Sequence, residues 1–206
     1  EAFGLFQGML SGITGPRLVE TIPSFHDTRE RFEKLERVAK EDKLGRFEAS
    51  KDVYEAIMEI KPYALALQEA FDKGEIPERV VHNDAKLSNI LLDVNTGNAI
   101  CVIDLDTCMP GLAGHDFGDM ARSMSSQTAE DEVDLSKIAI NFDIYDSLIR
   151  GFLKGAKGVL NNREIELLQE GGIAMTAEVA VRFLTDYREG DVYYSTAFEG
   201  HNLIRA

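Results

Sequence analysis

Positive charge is scarce in this sequence: 22 Lys and Arg stand against 36 Asp and Glu, a formal net charge of −14. So acidic a surface disfavours non-specific binding to nucleic acid or to an anionic membrane, since both favour basic patches. It reads instead as a solvated surface that keeps a cytoplasmic protein in solution. Cysteine is almost absent. Cys101 sits in an apolar run and Cys108 lies seven residues on, with no ladder of further cysteines around them. This is not a disulfide framework, and reduced thiols are the expectation for a cytoplasmic protein. Long apolar runs are missing too: none approaches the roughly 18–20 residues of a membrane span. The opening EAFGLFQGML has no basic segment and is not a signal peptide. It also lacks an initiator Met and opens directly on a helical pattern, so we expect a chain cut out of something longer.

What is present is ordinary for a globular protein. The 206 residues are 44% hydrophobic and 28% charged, enough for one large or two small domains with a sizeable core. Phe3, Phe6 and Leu10 recur at helical spacing, and ETIPSFHDT leads to an N-cap at Asp27 or Thr28. The next segment, RERFEKLERVAKED, puts Phe32, Leu35 and Val38 on one face of an amphipathic helix. A second helical region begins near Ser50, and Pro62 predicts either a kink in it or two abutting helices. After KGEIPER the pattern changes to short β-like runs at Val80–Val81, Ile90–Leu92 and Ala99–Ile103, with DVNTGN as a hairpin turn. From Gly114 onward helices return, over Phe117–Ser123, Phe142–Lys154, Glu164–Gln169 and Ile173–Tyr187. The expected class is α+β, mainly helical, with a small central β insertion that carries most of the unusual polar residues.

That insertion contains VVHNDAKLSNILLD, in which Asp84 and Asn89 stand five apart in His-x-Asp-x-x-x-x-Asn. Phosphoryl transfer from ATP uses this arrangement: the Asp accepts the acceptor hydroxyl's proton, and the Asn further along the loop binds Mg²⁺. The second metal ligand should be an Asp at the end of a following strand, and AICVIDLD supplies Asp104, with Asp106 two residues on. Alternation along an extended segment would let these two carboxylates face one side. A literal DFG occurs at Asp116-Phe117-Gly118, but it lies 32 residues beyond Asp84 and reads as a helix start. Asp104, 20 residues beyond Asp84 and directly after an apolar strand, is the better metal ligand. Asp116 and Asp119 are expected as helix N-terminal residues or loop supports. His82 is expected to brace the loop through a hydrogen bond. Lys86 is either a solvated lysine or a charge near the transferring phosphate.

HNDAKLSNILLD followed by CVIDLDTCMPGLAGHDFGD resembles the aminoglycoside phosphotransferase/choline kinase family of protein-kinase-like small-molecule kinases. Within it, ETIPSFHDT, VIDLDTCMPGL, HDFGD and RFLTDYREGDVYY are most similar to the N-acetylhexosamine 1-kinase branch. The resemblance implies Asp84 as catalytic base, Asn89 and Asp104 as Mg²⁺ ligands, Asp106 as an auxiliary carboxylate, and ATP as phosphoryl donor. The product would be a hexosamine 1-phosphate. In the C-terminal helix Arg182 needs an acceptor, either a sugar oxygen or a structural Asp such as Asp186 at i+4. Tyr193 and Tyr194 either hold a sugar ring or are core aromatics with the hydroxyl at the surface.

The family's smaller N-terminal lobe carries a phosphate-covering loop and a strand lysine. Nothing before residue 80 resembles it, so residues 1–206 are expected to be the C-terminal lobe alone. Such a chain should fold but have little or no kinase activity without its missing lobe. Rival readings are a kinase of the same family for another alcohol (an aminoglycoside, choline or another sugar) and a non-catalytic degenerate lobe. A third is a sulfatase-like use of Cys108 in CMPGL, where Leu112 replaces the required Arg.

Overall fold

A computed structural model describes residues 1–206. Four helices come first: α1 (Ala2–Leu10), α2 (Thr28–Glu41), α3 (Lys51–Ala64) and α4 (Ala66–Asp72). Four short strands follow: β1 (Arg79–Val81), β2 (Ile90–Leu92), β3 (Ala99–Val102) and β4 (Met109–Gly111). Five helices close the chain: α5 (Ala113–Ser125), α6 (Phe142–Gly155), α7 (Asn162–Glu166), α8 (Leu168–Glu189) and α9 (His201–Arg205). The mainly helical architecture with a small β insertion is the expected one. No helix is long and apolar enough to cross a membrane.

Local chemistry sets several helix ends. Asp27 caps α2, its carboxylate accepting from the Glu30 amide at 2.9 Å. Asn161 and Glu164 form a reciprocal capping box at the start of α7. Pro62 lies inside α3, which continues to Ala64; the break falls at Leu65, and α4 starts at once. The outcome is two abutting helices, with the junction a few residues past the proline that removes a helical donor.

The β insertion is less continuous than expected. β1 pairs antiparallel with β4, with Val80 opposite Pro110, and β2 pairs with β3 as a separate hairpin. The strand Met109–Gly111 was hidden by its Pro and Gly. A two-stranded ribbon is all edge, so a proline without a ladder donor is tolerated there. Helix limits also move. α5 begins earlier than Phe117, and α8 starts at Leu168 instead of Ile173, directly after the short α7.

α8 is the axis of the molecule and packs against α5, α3 and α2. Ala177, Val181, Leu184 and Tyr187 on it meet Phe32, Leu35 and Ile57 in one core cluster. Leu168 joins Phe3, Ala85, Phe117 and Phe152 in a second, which reaches the polar loop through Ala85. A helix buried on several sides shows little sequence amphipathicity. The crossing of α5 and α8 is close enough to require glycine: a Cβ on Gly118 would stand 2.1 Å from the Gly171 carbonyl oxygen. The first turn of α5 lies directly behind the loop that follows β1, where Asp116 meets the backbone amides of His82 and Asn83.

Candidate active site

β1 ends at Val81 and the chain turns sharply through His82, Asn83 and Asp84. Asn83 has φ 63°, a left-handed conformation that asparagine tolerates better than most residues. The turn is held from below by Asp116 in the first turn of α5, fully buried. Its carboxylate accepts from the backbone amides of His82 at 3.0 Å and Asn83 at 2.8 Å, and from Gln7 Nε2 at 2.6 Å. Burial pushes the Asp116 carboxyl upward and these donors oppose it. Asp116 therefore supports the loop, as its position at a helix start suggests. His82 is buried and braces the same turn, its Nε2 lying 2.9 Å from the Ile103 carbonyl oxygen. Thr107 adds two contacts: its hydroxyl donates to the His82 carbonyl at 2.7 Å, and its carbonyl accepts from Asn83 Nδ2 at 3.0 Å.

Asp84 and Asn89 are brought together. Asn89 Nδ2 donates to the Asp84 carbonyl oxygen and to Asp84 Oδ2, each at 2.9 Å. Lys86 Nζ reaches the same Oδ2 at 2.6 Å, so Lys86 is neither free nor aimed away from the loop. With Oδ2 occupied, Asp84 Oδ1 and the Asn89 amide oxygen keep open acceptor positions. Asp104 is tied to this group through the backbone, because the amide of Ile103 donates to the Asn89 carbonyl at 3.0 Å. The extended alternation expected for Asp104 and Asp106 does not occur. Asp104 takes φ 63° and stands just before a 3-10 turn over Leu105–Thr107, so the strand has already ended. Both carboxylates are exposed and neither forms an ion pair or side-chain hydrogen bond with the protein. No cluster of three or more His, Cys, Asp or Glu side chains forms a metal cage. Mg²⁺ rarely uses one: it keeps waters and takes one or two protein oxygens beside substrate phosphates. The free amide oxygen of Asn89 and the unpaired carboxylate of Asp104 are hard oxygen donors that fit such an ion.

Arg182 and Tyr193, expected from the sequence to hold the acceptor, lie on α8 and the turn after it. Arg182 is half-buried and has no carboxylate partner. Its guanidinium carbon stands 5.4 Å from the Tyr194 ring centre and 6.0 Å from that of Tyr193. The alternative pairing with Asp186 is not made. Asp186 instead accepts from the amides of Val192 at 3.0 Å, Tyr193 at 2.8 Å and Tyr194 at 3.0 Å, and from Asn202 Nδ2 at 2.9 Å. These bonds fix the turn that presents the tyrosines. Tyr193 is 74% exposed and meets Tyr194 edge-on, whereas Tyr194 is partly covered and packs on Phe183.

Two residues escaped the sequence reading. His26 packs beside the loop, with Nε2 3.0 Å from the Asn83 carbonyl oxygen and Nδ1 3.0 Å from Glu178 Oε1. The signal was an acid, Glu178, inside the apolar stretch MTAEVAV of α8. One helical turn separates Glu178 from Arg182, so the same helix carries the acid that meets His26 and the unpaired cation. Two clefts of about 220 and 370 Å³ lie beside His26 and beside Arg79; neither is lined by Asp84, Asn89, Asp104, Arg182 or Tyr193. Cys108 is poorly suited to nucleophilic work. Burial, then the charges of Asp116 and Asp104, push its thiol up to about 11.

Residues 6–148 match the phosphotransferase enzyme family. Among solved structures, an ethanolamine kinase from Plasmodium vivax superposes with a TM-score of 0.57 at 15% identity, over 99% of this chain and 56% of that one. A choline kinase from Cryptosporidium parvum Iowa II does so with a TM-score of 0.57 at 12% identity, over 98% of this chain and 60% of that one. At such identities the likeness is one of fold, and the chain spans a little over half the length of either.

Proposed function

Because the chain belongs to the phosphotransferase enzyme family, we propose that it is the C-terminal, acceptor-binding lobe of an ATP-dependent kinase acting on an alcohol. The observation that carries the reading is the Asp84–Asn89 contact, with Asp104 tied by the backbone to the same loop. In this reading Asp84 Oδ1 takes or orients the acceptor's hydroxyl proton while Lys86 and Asn89 hold Oδ2. Mg²⁺ bound through Asn89 and Asp104 would neutralise phosphate charge during transfer. Asp106 stands by as an exposed auxiliary carboxylate, and His82 keeps the loop in register.

The acceptor we favour is an N-acetylhexosamine, phosphorylated at the anomeric hydroxyl. Arg182 supports this choice. A guanidinium without a counter-carboxylate repels a cationic acceptor such as choline or ethanolamine and suits a neutral molecule rich in hydroxyl and carbonyl oxygens. Tyr193, exposed beside it, offers a ring face and a hydroxyl to a sugar. Another sugar or small alcohol is the alternative within the same chemistry.

The reading also includes a second lobe on the same polypeptide, to cover the nucleotide. Leu91, Leu92, Val94 and Ile100 on the β2–β3 hairpin are 49%, 48%, 94% and 66% exposed, an apolar face suited to such a lobe. A coupled ATPase assay of the full-length protein against hexosamines, their N-acetyl forms, aminoglycosides, choline and ethanolamine tests the proposal. N-acetylhexosamine should give the highest kcat/KM, and the 206-residue chain alone should be inactive. A preference for the cationic amino alcohols would overturn the sugar assignment. Turnover by the isolated chain would overturn the need for the second lobe.

A further inference from the structure

Asn83 is clamped at each of its backbone polar groups and at its side-chain amide, and each clamp comes from a different part of the fold. Its amide donates to Asp116 on α5, its Nδ2 donates to the Thr107 carbonyl, and its carbonyl oxygen is met by His26 Nε2. That carbonyl belongs to the peptide unit joining Asn83 to Asp84, so whatever holds it orients the start of Asp84. His26 lies on the loop before α2 with its side chain only 7% exposed, and Glu178 on α8 is 1% exposed. Hydrogen-bond chemistry fixes one proton and locates the other. A carbonyl oxygen only accepts, so Nε2 carries hydrogen; the contact between Nδ1 and Glu178 Oε1 holds one further proton between ring and carboxyl. We assign that proton to the ring, as an imidazolium with Glu178 as its counter-ion.

The surroundings agree with that assignment. Burial, the largest single influence, would lower the His26 pKa; the charge and hydrogen bond of Glu178, the Asn83 carbonyl and the charge of Asp119 together outweigh it, and the net direction is upward. Arg31 Nε on α2 lies 4.0 Å from the same Glu178 oxygen. From α5, the neutral ring of His115 packs 5.1 Å from that of His26, and Asp119 adds a further negative charge. Glu178 Oε2 is buried without a partner, so the carboxylate serves His26 through Oε1.

We infer that the His26–Glu178 pair is a positioning device for phosphoryl transfer: it holds the Asn83–Asp84 peptide unit and so sets where the Asp84 carboxylate stands. The inference rests on the kinase reading above. His26 touches neither acceptor nor nucleotide; it acts through one carbonyl.

Two substitutions in the full-length protein separate this from a packing role. In His26→Gln the amide nitrogen falls near the position of Nε2 and keeps the bond to the Asn83 carbonyl. In His26→Asn it falls near Nδ1, keeping Glu178 and losing the carbonyl. His26→Asn should lower kcat at least about tenfold with KM for acceptor and ATP unchanged, since misplacing a reacting group costs rate and not affinity. His26→Gln should stay within about threefold of the parent. Thermal melting of both checks folding. If His26→Asn keeps kcat, or His26→Gln falls as far as His26→Asn, the positioning role is wrong. A readout independent of turnover is the pH titration of the His26 ¹⁵N imidazole signals. The midpoint should lie above the ordinary histidine value of 6.5, and a midpoint at or below it would overturn the ion pair. A parent protein that phosphorylates no alcohol would defeat the kinase reading before any variant is made, and the titration would still decide the pair.

Discussion

The Asn89 side-chain amide donates to Asp84 Oδ2 at 2.9 Å, placing a nitrogen donor and an open amide oxygen on opposite sides of one side chain. Asn89 therefore fixes one carboxylate oxygen of Asp84 and leaves its own oxygen free, as the proposed cation site requires. Replacing Asp84 by Asn preserves an oxygen acceptor for Lys86 and Asn89, so the loop should keep its shape. What is lost is the basic oxygen. In the full-length protein Asp84→Asn should lower kcat by about 10²–10⁴ while acceptor binding, measured by calorimetry, changes little. Near-parental turnover would show that Asp84 is not the base.

Asp186 tests the proposed acceptor-binding turn separately. Its carboxylate is 3% exposed and gathers three consecutive backbone amides and the Asn202 side chain. An asparagine there offers one acceptor oxygen and turns an NH₂ toward the same donors. Asp186→Asn should cost about 2 kcal/mol or more of stability, the scale of leaving buried donors unpaired. It should also loosen the turn carrying Tyr193 and Tyr194, so KM for the acceptor rises several-fold more than kcat falls. Denaturant melts and steady-state kinetics on one preparation check both halves. Equal loss in kcat and kcat/KM would mean that the turn does not serve binding.

The sequence made the Asp84–Asn89 contact legible because the spacing of the two residues is local and a five-residue loop brings them together. Helix α2 was equally readable, since Asp27, Phe32 and Leu35 state its cap and its buried face in one short segment. What could not be read was long-range. His26 and Glu178 are 152 positions apart, and nothing near either names the other. Strand β4 was missed because Met109-Pro110-Gly111 lacks strand propensity and is a strand only through pairing with β1. Asp104 was placed correctly after an apolar strand, but local pattern gave no notice of its left-handed backbone. The Arg182–Asp186 spacing suited an ion pair along the helix, yet the turn beyond Gly190 supplies Asp186 with better donors.

His115 makes a prediction about pH. Burial and the neighbouring His26 charge hold its pKa well below the ordinary 6.5, so it is neutral in the folded protein. The unfolded chain takes up a proton near that value and the folded chain does not. Stability is therefore full above pH 6.5 and falls as the pH drops through the window below it, by at most about 1.4 kcal/mol per pH unit from this group. His26 has the opposite sign, its raised pKa giving stability that is present below 6.5 and lost at higher pH. Urea melts between pH 7 and 5 should show a steeper decline in the parent than in His115→Gln. Parallel slopes would show that His115 is protonated in the fold.

Cys101 and Cys108 offer a test of the rival chemistry. Cys101 lies exposed on β3, whereas Cys108 is half-covered beside Asp116 and Asp104 with its thiol pushed up to about 11. Thiolate is the reactive form, so at pH 8 Cys108 holds only about one part in a thousand as thiolate. A thiol reagent at that pH should label Cys101 within minutes and Cys108 much more slowly, until denaturant is added. Intact-mass analysis should find both cysteines unmodified beforehand. An aldehyde in place of the Cys108 thiol would revive the sulfatase-like reading, and prompt labelling of Cys108 would mean that its surroundings do not suppress the thiolate.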